Sequence, residues 1–179
     1  MKCGVRKIFS RFLLLGALVL SLLAVSGILN IPAAQAAIRQ LEEAPGQIVY
    51  QSRQTLKDNR GNGWQVIAFQ RIRPDGKTSF SLRLVGFPGV GAIARSQPLT
   101  LTNSLGKTLT VPDASANIFT NAAAPEPNVA QYDLQPMLGE LQPEIPLKLI
   151  IPMKDAPAVS LSVSPSLVQE WQTVASYKE

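Results

Sequence analysis

The chain beyond position 36 predicts a mostly β fold: an antiparallel barrel or sandwich of about six to eight short strands, a Pro-rich irregular segment and a C-terminal amphipathic helix. Three observations predict it. Apolar and polar residues alternate with period two through several short runs between positions 47 and 163. Dense turn chemistry separates those runs, as in Asp58-Asn59-Arg60-Gly61-Asn62-Gly63, Asp75-Gly76 and Ser104-Leu105-Gly106. The period then changes to that of a helix near the C-terminus.

Residues 1–36 read as a secretory signal peptide. Lys2, Arg6, Lys7 and Arg11 make a basic start without an acid, and residues 12–29 follow without a charge. Ala34-Gln35-Ala36 has the small-x-small pattern of a signal-peptidase site, so the cut is expected after Ala36. An apolar run of that length is near the lower limit for spanning a bilayer, which makes a retained anchor the alternative. Asn30, Pro32 and the Ala-x-Ala favour cleavage. Arg11 alone does not make a twin-arginine signal, and Cys3 precedes the apolar core, where no lipoprotein carries its acylated cysteine.

A cut after Ala36 leaves 143 of the 179 residues, enough for one domain, residues 37–179. It removes four of 17 Lys and Arg and none of the 12 Asp and Glu, so the net charge falls from +5 to about +1. The basic balance thus belongs to the leader, and it gives no reason to expect nucleic acid as a partner. The chain has no histidine, and its one cysteine leaves with the leader. Disulfides, most zinc and copper sites, a Cys nucleophile and Ser-His catalysis are thereby excluded. No cofactor and no metal is expected, and the domain is not expected to be an enzyme.

Residues 37–45 read as a short arm or one helical turn. Strands are expected at 47–56 and 64–73. Asp75-Gly76 is a type I′ hairpin dipeptide, and a two-residue loop sets Pro74 against Lys77. In that register Phe69 opposes Leu82, Ile67 opposes Leu84 and Arg71 opposes Phe80, while Gln70 meets Ser81, Ala68 meets Arg83 and Val66 meets Val85. One face then carries Ile67, Phe69, Phe80, Leu82 and Leu84. The following loop, with Gly86, Phe87, Pro88, Gly89 and Gly91, cannot continue a regular strand. A second hairpin pairs Leu101 with Leu109 and Leu99 with Val111, with threonines on its other face.

Residues 113–144 are expected to be irregular, because Pro125, Pro127, Pro136 and Pro143 forbid one long helix. Helical turns are expected near 128–134, with Tyr132 packed inward, and near 137–141. Two strands follow, one carrying Ile145, Leu147, Leu149 and Ile151 on one face and the other Val159, Leu161 and Val163. They are expected to pair around Lys154-Asp155-Ala156-Pro157. Ser164 reads as an N-cap and Pro165 as the first residue of a helix with Leu167, Trp171 and Val174 on its buried stripe.

Candidate ligand or partner contacts fall in two groups. Gly86, Phe87, Pro88 and Gly89 form an apolar glycine loop at the end of a strand, or else only shape a bend. Arg71, Arg73 and Arg83, with Lys77 and Arg95, form a positive patch for an acidic protein surface or anionic lipid, or else an ordinary solvated edge. In the two-residue-loop register Arg71 and Arg83 point to opposite faces. Glu126, Asp133, Glu140 and Glu144 are the carboxylates a hydrolase would use, but no spacing pairs them. Trp171 and Tyr132 suit stacking on a ligand and suit the core better.

At Leu84-Val85-Gly86-Phe87-Pro88-Gly89, Pro98-Leu99-Thr100, Gln131-Tyr132-Asp133-Leu134 and Glu170-Trp171-Gln172 the chain resembles an exported cyanobacterial family, domain of unknown function 3122. The resemblance implies a thylakoid lumen or periplasm as destination, and it implies no activity. The expected function is a non-catalytic binding or assembly module for a protein partner or membrane-associated complex, touching the membrane only through an uncleaved leader. The alternatives are a small β-barrel carrier of a lipid or pigment and, behind it, a carboxylate-based hydrolase. Intact-mass analysis of the exported protein is expected to find Ala37 at its N-terminus; Met1 on a soluble cytosolic product would overturn the leader.

Overall fold

The computed structural model describes residues 38–118 and 126–178. The leader assigned to residues 1–36 and the Ala-rich stretch at 121–124 lie outside the described residues. Strands β1 (Arg39–Ala44), β2 (Gln47–Lys57), β3 (Gly63–Ile72), β4 (Thr78–Gly86) and β7 (Val129–Asp133) form one antiparallel sheet in the order β1-β2-β3-β4-β7. Strands β5 (Leu99–Asn103), β6 (Thr108–Val111), β8 (Leu147–Met153) and β9 (Ala156–Val163) form the second, in the order β6-β5-β8-β9. The α-helix α1 (Pro165–Ser176) follows β9. Among the described residues no helix is long and apolar enough to cross a membrane.

The mostly β reading holds, with two corrections of detail. The sheets do not close into a barrel: isolated bridges at Asp58–Leu161 and Asp113–Tyr132 tie them at two seams without forming a ladder. The described residues hold nine strands rather than six to eight, because two segments not read as strands are strands. Residues 39–44 are the edge strand β1 and neither an arm nor a helical turn. Residues 129–133 are β7 and not a helical turn, with Ala130 and Tyr132 turned into the core. The helical turn expected near 137–141 is a 3-10 turn at Gln135–Glu140, and a shorter 3-10 turn lies at Ser115–Asn117.

The β5–β6 hairpin keeps the expected register, while the β8–β9 turn is two residues shorter than expected, because Ala156 and Pro157 already belong to β9. Leu101 pairs with Leu109 and Leu99 with Val111, and β8 pairs with β9 across Lys154-Asp155. Ser164 Oγ caps α1 by accepting from Leu167 N at 3.3 Å, with Pro165 opening the helix. Leu167, Val168, Trp171 and Val174 enter one core with Trp64, Val66, Ala68, Phe80, Leu82 and Leu84 of the first sheet and Leu99, Leu149 and Leu161 of the second. The helix packs on β2 and β3, and Tyr177, which follows it, stacks on Tyr50 at 4.1 Å.

The β3–β4 hairpin overturns the expected register. Trp64 pairs with Gly86, Val66 with Leu84, Ala68 with Leu82, Phe69 with Ser81 and Gln70 with Phe80, one residue away from the two-residue-loop alignment. The loop has three residues: Arg73 N donates to Lys77 O at 3.0 Å and Gly76 N to Arg73 O at 2.9 Å. A type I′ turn needs positive φ at both Asp75 and Gly76. Here only Gly76 has it, at 74°. Pro74, with φ fixed near roughly −65°, takes the first corner of a type I turn, and Gly76 supplies the left-handed residue that closes it. Val66 and Ala68 therefore face the core, and Ile67 and Phe69 face the other way.

The opposite end of β3 is pinned by Asp58, which is 6% exposed. Its carboxylate accepts from Arg60 N at 2.8 Å, Asn62 N at 2.9 Å, Asn62 Nδ2 at 3.1 Å and Trp64 Nε1 at 3.0 Å. Burial opposes ionisation, but the donors of Trp64, Asn62 and Arg60 outweigh it and hold the carboxyl below the ordinary aspartate range. A group depressed in the folded state stabilises fully above its unfolded pKa, about 4, and loses that contribution as pH falls through the folded value. Asp58→Ala is expected to lower the unfolding free energy at neutral pH by about 2–4 kcal/mol in urea melts, since it also strands the buried indole N–H. The gap to wild type should narrow below about pH 4; a gap unchanged in acid would contradict this account of the corner.

Candidate functional site

The outward face of the first sheet carries an apolar layer of its own. Val49, Ile67 and Phe69 are 2%, 7% and 4% exposed and form a cluster separate from the main core. Antiparallel pairing sets the neighbours in three rows. Leu41 of β1, Val49 and Arg71 form the first row. Arg39, Gln51, Phe69, Ser81 and Asp133 form the second. Arg53, Ile67, Arg83 and Gln131 form the third. Arg71 and Arg83 thus sit one row to either side of Phe69.

Both guanidiniums lie over its ring, with Cζ 5.4 Å from the centroid for Arg71 and 5.2 Å for Arg83. A cation over an aromatic face is attracted by the ring quadrupole. The apolar stems cover the cluster while the charged heads stay at the surface. The same one-residue register difference corrects the expectation that these two arginines point to opposite faces: Arg83 lies opposite Ile67, which shares Arg71's side of the pleat.

The charges on this face are unbalanced. Glu43 of β1 accepts from Arg71 Nε at 2.8 Å and Nη2 at 3.3 Å, and from Gln47 Nε2 at 2.9 Å. Burial works against the Glu43 charge, but Arg71, then Gln47 and Arg83, hold its carboxyl below the usual glutamate range. Arg83 donates through Nε and Nη2 to Gln131 Oε1, at 3.2 and 2.8 Å, and has no salt bridge among the described residues. Burial first, then the like charge of Arg71, pushes Arg83 below the ordinary guanidinium range; Glu43 opposes this, and Arg53 adds to it. The face also carries Asp133, whose carboxylate accepts from Gln135 N at 3.0 Å at the start of the 3-10 turn. The face therefore carries four guanidiniums, Arg39, Arg53, Arg71 and Arg83, against two carboxylates, Glu43 and Asp133.

The other sequence candidates lie elsewhere. Arg73 is exposed at the tip of the β3–β4 hairpin, where Lys77 pairs with Asp75 at 2.8 Å. Arg95 binds the backbone carbonyls of Glu126 and Val129 and so fastens that segment to the loop after β4. Gly86, Phe87, Pro88 and Gly89 sit at the far end of β4, with Phe87 N donating to Gly63 O and Val90 N to Phe87 O, each at 3.0 Å. A Cβ on Gly63 would lie 2.7 Å from the Phe87 ring, and one on Gly86 would lie 2.7 Å from Val90. These glycines make room for packed side chains, although Phe87 keeps 40% exposure. Tyr132 and Trp171 are fully buried in the core.

Sequence reasoning named Arg71 and Arg83 but missed Phe69, Glu43, Arg53 and Gln131. Pro74 before Asp75-Gly76 is the signal that would have found Phe69, since it selects the three-residue loop. Glu140 pairs with Lys107, and Asp113 accepts from Ser115 Oγ at 2.5 Å, so both are engaged in local structure. Among the described residues no group of three or more His, Cys, Asp and Glu side chains is placed to hold a metal ion.

Two antiparallel sheets packed on one core, with an arginine-bearing outer face, define a two-layer β domain. Residues 36–174 match the family described as Protein of unknown function (DUF3122), and the chain belongs to that family. No curated protein and no solved structure matches it.

Arg83 and Gln131 test the charge imbalance directly. Arg83→Met with Gln131→Leu keeps the apolar cover and removes the polar pair together, so it is expected to leave stability unchanged or raise it by about 1 kcal/mol in urea melts. Arg83→Ala alone should cost about 1–2 kcal/mol, because it uncovers Phe69 and strands Gln131 Oε1. A double variant less stable than Arg83→Ala would show that the pair is there for stability.

Proposed function

We propose that this chain is an exported, non-catalytic binding module of the thylakoid lumen or periplasm, and that its outer arginine face docks a carboxylate-bearing segment of a protein partner. The observation that carries the reading is the half-buried Arg83 beside Arg71 over the Phe69 ring, hydrogen-bonded among the described residues to a neutral amide. Holding like charges together in partly desolvated surroundings costs free energy, and a bound anion relieves it. A forked guanidinium suits a carboxylate, and Arg71 already holds one in this geometry through Glu43. Export rests on the basic start, the uncharged apolar run and the Ala34-Gln35-Ala36 pattern of the leader.

The interior favours a surface role over a carrier. Trp64, Trp171, Tyr132, Phe80, Leu82, Leu84, Leu99 and Leu149 fill the space between the sheets with side chains under 2% exposed. A pocket beside Lys107, Glu140 and Val168 holds about 10 Å³, the room of one water molecule.

Fluorescence anisotropy with a labelled six-glutamate peptide tests the reading. The mature domain should bind it with an affinity that falls as salt rises. Arg71→Ala and the Arg83→Met, Gln131→Leu pair should each weaken binding by about tenfold, one charge-assisted contact's worth. Phe87→Ala should leave it unchanged. Binding to vesicles of anionic lipid but not to the peptide would replace the protein partner with a membrane surface.

A further inference from the structure

We infer that strand β1 is a replaceable occupant of the arginine face, and that the partner docks by adding an acidic extended segment to the edge of β2 in its place. This rests on the proposed carboxylate recognition and names its form. All six residues of β1 are exposed, including Leu41 at 46%. The strand itself buries no side chain; it is held by its ladder to β2, by Glu42 Oε1 accepting from Gly46 N at 3.2 Å, by Glu43 on Arg71 and Gln47, and at its start by Ile38, which packs on the core. Its ladder is already irregular between Glu42 and Ala44. An edge held this way opens at low cost. The β2 edge beneath it then offers unpaired backbone groups to another strand.

The occupant's chemistry follows from what β1 does well and badly. Its outward residues are Arg39, Leu41 and Glu43, set beside Gln51, Val49 and Arg71. Leu41 suits Val49 and Glu43 suits Arg71. Arg39 is on the row next to Arg53, on the same face, and adds positive charge where the face already has an excess. A segment patterned acid-x-apolar-x-acid keeps the two good contacts and replaces the poor one. The partner is therefore an extended acidic peptide, and the chain's own N-terminal strand is a weaker version of it.

Two substitutions in β1, read together with amide exchange, separate this from simple charge attraction. The probe is a labelled synthetic peptide with the sequence of residues 37–46 in which glutamate replaces the arginine. Glu43→Gln loosens the resident strand and is expected to tighten probe binding by roughly three- to tenfold over wild type. Arg39→Glu makes the resident strand a better occupant and is expected to weaken probe binding by a similar factor. Simple charge attraction predicts the same directions, so amide exchange supplies the second reading. Bound probe should leave β2 protected while the amides of residues 39–44 lose protection. Probe binding with residues 39–44 still protected would overturn the replacement and leave the arginine face standing. No probe binding by wild type or either variant would remove the carboxylate reading as well.

Discussion

The three-residue turn at Pro74-Asp75-Gly76 fixes what each side chain of β3 and β4 can touch. Side chains in a strand alternate between faces, so a slip of one residue relative to β4 would change every cross-strand neighbour on both faces. With the turn as it is, Trp64, Val66 and Ala68 meet Leu82 and Leu84 under α1, and Phe69 is left on the outside between Arg71 and Arg83. The other end of β3 is held by the Asp58 carboxylate on the Trp64 indole. Core and arginine face are two sides of one register, pinned at both ends by a turn.

Alternation was enough to read the fold wherever one face of a strand is plainly polar. The threonines opposite Leu99, Leu101, Leu109 and Val111 settle the β5–β6 hairpin, and the serines between Val159, Leu161 and Val163 settle β9. In β3 it was not enough, because Trp64, Val66, Ala68 and Ile72 on one side and Ile67 and Phe69 on the other are all buried. When both faces are apolar the period cannot choose between them, and the choice passes to the turn. Pro74 tips that choice, by fitting a type I corner. β1 escaped because a strand that buries nothing carries no alternation, and β7 because five residues among prolines make too short a pattern. Glu43, Arg53 and Gln131 lie on β1, β2 and β7, outside the β3–β4 hairpin, so only cross-strand pairing could bring them to Arg71 and Arg83.

A sheet face with a second apolar layer has to be covered, and this chain covers it with arginine. Arginine stems shield Val49, Ile67 and Phe69, but so would methionine or leucine, without the charge. The guanidiniums work against one another: after burial, Arg71 and then Arg53 push Arg83 down, and Glu43 offsets part of this. Gln131 satisfies hydrogen bonds without neutralising charge, and Glu43 pairs with one of the four cations, Arg71. An arrangement that stability alone would not favour, on rigid strands and not on a loop, is what a recognition surface requires.

Placement on strands also bears on how tightly such a face can bind. A surface arginine normally loses much rotamer freedom when it captures an anion. Here Arg83 is already held by two bonds to Gln131 and by the Phe69 ring, and Arg71 by the same ring and by Glu43. Most of that ordering is complete before a partner arrives. The remaining cost at Arg71 is the exchange of one carboxylate for another, close to neutral in charge and geometry. On the proposed docking, affinity is set by what the incoming segment adds beyond that exchange, at Arg83 and Arg53, and the face would select partners with more than one acid.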